Sequence, residues 1–268
     1  VIQTIRFLFE IFSLPDVKVG TWRLFRHRLT AATYRPFTEI LLLVVEPSLT
    51  LAALGIGMGQ WLNDIDGKPY AAFVLPAVVA LTTVFIPFWE AAYGVFSRLR
   101  SPQTYWAIMQ TPLDSIDIAT GEIIWATAKG VVSGTLLLTI GFIFGWCASP
   151  WAWLGLLALI PGAMFFAAIG LWGASWAHRS MTLVMIQSFV LGPLALWSDT
   201  IFPFSRMGEV PNILAWASPV THIVRPLRSL CSGEITSEVF LNLAVIWLIG
   251  SIAVNAAVMT FRERLNPK

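Results

Sequence analysis

The chain has 268 residues, of which 57% are hydrophobic and only 12% charged, and its mean hydropathy is +0.74; a soluble domain carries about 25% charged residues. That composition excludes a soluble enzyme, and the apolar residues run in blocks of roughly twenty, the length of helix that crosses a bilayer. The net charge of +2, from 17 basic and 15 acidic residues, is too small to point to nucleic acid as a partner. The class is a polytopic helical membrane protein.

In chain order, Val1 to Phe12 is apolar but short, interrupted by Arg6 and Glu10, and lacks a small-residue cleavage site, so it does not read as a signal peptide. From Thr21 to Pro36, Trp22, Phe25, Leu29 and Ala32 share one helical stripe, flanked by Arg23 and Arg26 on one side and Arg28 and Arg35 on the other. That pattern predicts an amphipathic helix in the inner interface, its arginines reaching anionic headgroups, within a cytoplasmic or interfacial stretch over 1–38.

Six spans are expected, near 39–60, 71–96, 121–146, 152–176, 182–202 and 238–261, within a single transmembrane domain over 1–268. Twelve basic residues flank them on one side: Arg6, Lys18, Arg23, Arg26, Arg28, Arg35, Arg98, Arg100, Arg179, Arg262, Arg264 and Lys268. Four lie on the other, Lys68, Arg206, Arg225 and Arg228. By the positive-inside rule both termini are cytoplasmic.

Between the second and third spans, 97–120 is a cytoplasmic coupling region. Ser101-Pro102 and Thr111-Pro112 each read as a cap followed by proline at the first helical position, predicting short helices near 102–110 and 112–120. The first carries Tyr105, Trp106, Ile108 and Met109, an apolar surface larger than a connector requires, and such surface marks docking. The stretch 203–237 contains Pro203, Pro211, Pro219 and Pro226 yet stays apolar. It predicts short helices dipping into the outer leaflet, one starting at Ser218-Pro219, their irregular backbone shielded by protein or a water-filled cavity.

Glu46, Glu90, Glu122, Lys129 and Asp199 fall inside the expected spans, where an unpaired charge costs several kcal/mol. They therefore face protein or a water-filled path. Glu122 and Lys129 are two helical turns apart, about 10 Å, too far for an easy pair. Lys129 is expected to meet Glu90 or Glu46, and an ion-pair role and a substrate-contact role stay open for each group. Trp61, Trp146, Trp151 and Trp153 read as interfacial anchors, whereas Trp89, Trp125 and Trp172 either pack between helices or offer faces to sugar rings. Cys147 and Cys231 show neither a CxxC pair nor metal-ligand spacing. They read as packed thiols, with a disulfide open to them if the fold brings them together. An HExxH helix and a GxxxxGK[ST] phosphate loop are both absent. The GxS context at Gly173-Ala174-Ser175, near His178, is a weak match to a serine hydrolase. A membrane-embedded lipid-modifying enzyme therefore lacks its site, and if ATP drives this chain another chain hydrolyses it.

Several motifs in order resemble the ABC-2 type permeases, the membrane subunits of bacterial ABC exporters, and most closely their nodulation-type (NodJ-like) lipooligosaccharide or polysaccharide exporters. They are Glu46-Pro47 with Leu54-Gly55-Ile56-Gly57-Met58-Gly59, Trp89-Glu90-Ala91-Ala92-Tyr93-Gly94 through Leu99, Gly121-Glu122 with Trp125 and Lys129, and Ser218-Pro219-Val220-Thr221-His222 with Arg228. Two positions depart from the pattern: Arg225, where relatives more often carry an acid, and Asp199, where glycine is usual. The resemblance implies an all-α fold of six transmembrane helices with an interface helix, coupling helices and re-entrant outer helices. It also implies a homodimer that binds two ABC ATPase subunits, with ATP and Mg on those subunits and no cofactor or metal on this chain. Docking falls to Arg98, Arg100, Ser101, Pro102, Tyr105, Trp106 and Met109. Glu46, Glu90, Tyr93, Glu122, Lys129 and Asp199 form the path or charge network, and Trp216, His222, Arg225 and Arg228 an outer gate. The implied cargo is a lipid-linked glycan; a multidrug or small-lipid exporter of the same fold is the alternative.

Overall fold

The computed structural model describes residues 18–61, 67, 69–200 and 208–266, and among these all regular structure is helical. Arg6, Lys68, Pro203, Arg206 and Lys268 lie outside the described residues, as does the side chain of Pro102. Helix α1 (Val19–Thr33) precedes α2 (Pro36–Gln60), α3 (Tyr70–Arg100) and the short α4 (Pro102–Met109). Then come α5 (Ser115–Ile143), α6 (Pro150–Trp176), α7 (Ser180–Leu196), α8 (Glu209–Trp216), α9 (Thr221–Ser232) and α10 (Ser237–Leu265).

Five of these, α2, α3, α5, α6 and α10, are long and apolar enough to cross a membrane, and they coincide with five of the six expected spans. The sixth, α7, is apolar but shorter than a full span. Its expected stretch ran to residue 202, yet the helix ends at Leu196 because the backbone turns there: Trp197 leaves the helix and Asp199 adopts φ 56°. Asp199 is therefore beyond the helix end rather than inside a span. Likewise the second short helix expected near 112–120 is not separate. Asp114 accepts from Ser115 N at 2.7 Å and Asp117 Oδ2 from Asp114 N at 3.3 Å, a reciprocal cap that starts α5 there. Helix α9 begins at Thr221, a few residues after the expected Ser218-Pro219 cap, whose Ser218 carbonyl accepts from Thr221 N.

Helices α3, α5, α6 and α10 pack closely where glycine removes a side chain. A Cβ on Gly170 of α6 would lie 2.7 Å from the Phe88 carbonyl oxygen, and one on Gly250 of α10 would lie 3.0 Å from the Pro161 carbonyl oxygen. Prolines free carbonyls that neighbouring helices take up. Pro161 leaves the Leu157 carbonyl without its α-helical donor, and Trp247 Nε1 of α10 donates to it at 3.1 Å. The Leu43 carbonyl, four residues before Pro47, accepts from Ser133 Oγ of α5 at 2.7 Å.

Burial is uneven. In the most apolar window of α3, 78% of residues are buried, against 17% in α2. Helix α2 leans mainly on α3 and α5, and α7 on α6 and α3, so both present apolar outer faces, including Leu41, Val45, Leu49, Met185 and Phe189. Helix α1 meets the bundle through a different face from its apolar stripe. Thr21, Leu24 and Arg28 are buried against α5, while Trp22 and Leu29 are exposed. The reason is local: Gly121 lets Leu24 approach the α5 backbone, and Arg28 finds a buried carboxylate partner.

Replacing Gly170 by alanine is expected to destabilise the bundle by roughly 1–3 kcal/mol through overpacking. Gly57→Ala, with open space around its Cβ, should be neutral; the apparent melting temperatures of both variants in detergent check this.

Candidate functional site

The arginine-rich ends of α1, α3 and α10 gather with α4 and the α6–α7 turn at one end of the bundle, where a charge network joins five helices. Its centre is Glu122 of α5, 1% exposed. Glu122 Oε1 accepts from Arg28 of α1 and from Tyr105 Oη at 3.0 Å, and Oε2 accepts from Arg98 Nη2 of α3 at 2.8 Å. Arg98 Nε donates to Tyr105 Oη at 3.2 Å, which closes the triangle. Burial, and after it the charge of Glu122, push the Tyr105 phenol well above its ordinary pKa, so it stays protonated and donates.

A second acid–base pair continues the network. Lys129 of α5 lies 2.8 Å from Glu90 Oε2 of α3 and 2.7 Å from Glu39 Oε2 of α2. Trp125 Nε1 donates to Glu90 Oε1 at 3.2 Å, and Lys129 Nζ sits 5.3 Å from the Trp125 ring centroid. The Trp125 ring is therefore held by protein groups and is only 7% exposed. Of the two expected partners of Lys129, Glu90 is found and Glu46 is not. Glu39, outside every site expectation, takes the second place; a carboxylate one turn into α2 and facing α5 was its only signal. Glu122 and Lys129 do not pair, as their spacing implied.

Glu46 instead borders an apolar groove of about 340 Å³ between α2, α3 and α7, lined by Val78, Phe85, Ile86, Trp89 and Gln187. Tyr93 Oη donates to Gln187 Oε1 at 3.1 Å. Three π-helical turns border this groove and the slot beside it: Leu41–Val45, Glu90–Gly94 and Gln187–Leu191. Such turns break the regular ladder and are frequent at functional sites.

The expected docking residues divide. Tyr105, 4% exposed, and Arg98 point inward to Glu122, so they anchor α4 rather than form its outer face; the Tyr105 ring meets Phe261 edge-on at 5.7 Å. Trp106 is 66% exposed, Ser101 is exposed, and Met109 is half-buried against the end of the bundle. Arg100 donates to the His178 carbonyl and lies 5.2 Å from the Phe96 ring centroid. Buried Tyr105 was misread because period alone does not say which face of an eight-residue helix meets protein.

At the opposite end, Arg225 Nε donates to Asp199 Oδ2 at 2.8 Å and Arg225 Nη2 to Asn212 Oδ1 at 2.7 Å. Arg228 Nη2 donates to the Asp199 carbonyl at 2.7 Å, and its guanidinium stacks over Phe73 at 4.1 Å. The two departures from the family pattern are thus partners of each other, and Asp199 occupies the positive φ that glycine tolerates best. His222 is buried, with Nδ1 2.6 Å from Asn242 Oδ1 and Nε2 3.1 Å from the Trp216 carbonyl. Asp199 belongs here and not to the Glu122 network. Cys147 and Cys231 are buried and not joined in a disulfide, although the Ala148 amide donates to the Cys231 carbonyl at 3.2 Å. A hydrogen bond with Cys231 holds the Cys147 thiol down at a pKa of about 7. Among the described residues, no cluster of His, Cys, Asp and Glu could hold a metal.

The fold is thus a bundle of apolar spans with a short helix tied by hydrogen bonds to two of them, the class of a polytopic membrane protein. The profile of the ABC-2 type transporter family matches residues 17–231, and the chain belongs to that family. It is 26% identical over 226 residues to Nodulation protein J of Bradyrhizobium diazoefficiens, covering 83% of this chain and 85% of that one. With Nodulation protein J of Rhizobium leguminosarum bv. viciae it shares 25% over 261 residues, 95% and 98% of the two chains. With the inner membrane transport permease YadH of Escherichia coli it shares 19% over 186 residues, 69% and 72%. No solved structure matches it. The protein is a multi-pass ABC-2 permease.

Glu122→Gln removes the charge that two arginines share and is expected to destabilise the fold by about 3–5 kcal/mol. Arg100→Gln, which gives up one backbone contact at the surface, should stay within about 1 kcal/mol. Recovery of monodisperse protein after mild heating in detergent distinguishes them.

Proposed function

We propose that this chain is the permease half of an ATP-driven exporter that moves a lipid-bearing oligosaccharide outward across the bacterial inner membrane. Two copies act together, each bound to one ABC ATPase subunit that holds ATP and Mg. The arginine-rich end faces the cytoplasm, a reading supported by the basic residues of α1, α3 and α10 and by the positive-inside rule. The α7 apolar segment, completed by the turn beyond it, serves as the sixth membrane element, and α8 and α9 dip into the outer leaflet.

The observation that carries this reading is the tether between α4 and Glu122. Helix α4 offers Trp106 outward while Tyr105, on the same turn, bonds Glu122 of α5 and Arg98 of α3. A partner that displaces α4 therefore acts on two spans at once, because the Tyr105 hydroxyl is hydrogen-bonded to a buried carboxylate and to the arginine paired with it, and a hydrogen bond to a charged group contributes about 1.5–3 kcal/mol. Helices α3 and α5 would then move as a body against α2 and α7, whose exposed faces suit a second copy and a pathway between the copies. The oligosaccharide cargo rests on the likeness to the nodulation proteins.

Purified alone, the chain is expected to hydrolyse no ATP. Changing Arg100 and Trp106 together to alanine should abolish co-purification of the ATPase subunit and export, with the melting temperature held. Unchanged co-purification would remove the docking role. In vesicles with its ATPase, lipooligosaccharide should stimulate hydrolysis; stimulation by hydrophobic drugs and not by glycolipid would overturn the cargo.

A further inference from the structure

A cavity of about 640 Å³ opens beside the network where α1 gives way to α2. Arg28, Arg35, Arg98 and Lys129 line it, with Ser97 and Thr104. The carboxylates in reach of these cations are Glu39, Glu90 and Glu122, so four positive charges meet three negative ones. The surplus falls on Arg35, which is exposed to the cavity and pairs with no carboxylate among the described residues. Arg28, nine-tenths buried, keeps an Nε–H with no hydrogen-bond partner. One further anion would balance the cavity.

The cavity also has an apolar continuation. It shares Glu90, Gly94 and Lys129 with a slot of about 160 Å³ walled by Leu42 and Leu43 of α2. That slot shares Ile86 and Trp89 with the apolar groove between α2 and α3. A cationic chamber thus adjoins an apolar slot and groove that run along a span.

We infer that the chamber and slot hold a phosphate-bearing lipid, its anionic headgroup against Arg35 beside Arg28 and Arg98 and its hydrocarbon between α2 and α3. The cavity is of the size that holds small-molecule groups, and a guanidinium matches a phosphate in geometry as well as charge. The site lies where α1 gives way to the span α2, at the end of the bundle where arginines collect. A resident phospholipid and the phosphate of a prenyl-linked cargo present the same chemistry there. The inference is independent of which cargo is exported.

Native mass spectrometry of the full chain, delipidated in neutral detergent, tests it with phosphatidylglycerol and an uncharged galactosyl diacylglycerol. Phosphatidylglycerol should bind about tenfold more tightly than the neutral lipid, the worth of one charge-assisted hydrogen bond. Arg35→Gln, an exposed change that spares the Glu122 network, should remove that preference, and Arg264→Gln should not. Equal binding of the two lipids, or an unaltered preference in Arg35→Gln, would overturn the site. Displacement of phosphatidylglycerol by undecaprenyl phosphate assigns the site to a prenyl-linked cargo, and its persistence assigns it to a resident phospholipid. Neither ATP nor transport enters the measurement, so its failure leaves the exporter reading standing.

Discussion

Glu122 is a carboxylate that water does not reach, set among helices with few other polar groups. Ionised and alone it would be intolerable there, and the cost is met only because Arg28, Arg98 and Tyr105 converge on its two oxygens. Each of those partners comes from a different element: α1, α3 and α4. The position of α1 on the bundle, the register of α3 against α5 and the docking of α4 therefore follow from one electrostatic requirement. Replacing the group by an apolar one would relieve the cost but also unlink the elements. An ion pair here contributes connection more than it contributes stability.

The same logic extends to Lys129, which holds α2 through Glu39 and α3 through Glu90. This matters because α2 has little else to hold it. Apart from the Glu39 contact and the Ser133 bond to the Leu43 carbonyl, it rests on α3 and α5 by a narrow face and turns its apolar outer face away. A helix held by a few polar contacts and interrupted by π-helical turns is a natural moving part, whereas α3, α5, α6 and α10, locked by glycine and proline contacts, form the frame. The opposite end has its own polar knot, in which Asp199, Arg225, Asn212 and Arg228 tie α8 and α9 to the end of α7. The two knots lie at opposite ends of a frame that is otherwise nearly free of charge.

Much of the fold was legible in the sequence. Five spans stand within a few residues of where hydropathy put them, the connector helix begins at Pro102, and the resemblance of the Glu46, Glu90 and Glu122 motifs pointed to the right family. The site was legible in part. Lys129 is expected to meet Glu90 or Glu46 and meets Glu90, whereas Glu39 has no place among the expected site residues and Tyr105, expected at the docking surface, is buried.

Hydropathy, turn residues and the distribution of arginines are local properties that add along the chain, so the sequence by itself determined the class, the spans and the end at which basic residues collect. Which carboxylate meets which cation is not local. Arg28 and Glu122 are 94 residues apart, and Lys129 and Glu39 are 90 apart. Rotating either helix by a quarter turn would break these contacts without changing any segment's hydropathy. Only the tertiary structure, through the close approach that Gly121 allows α1 and the fit of helices α2, α3 and α5, decided those rotations and thereby the charged cavity and the tether.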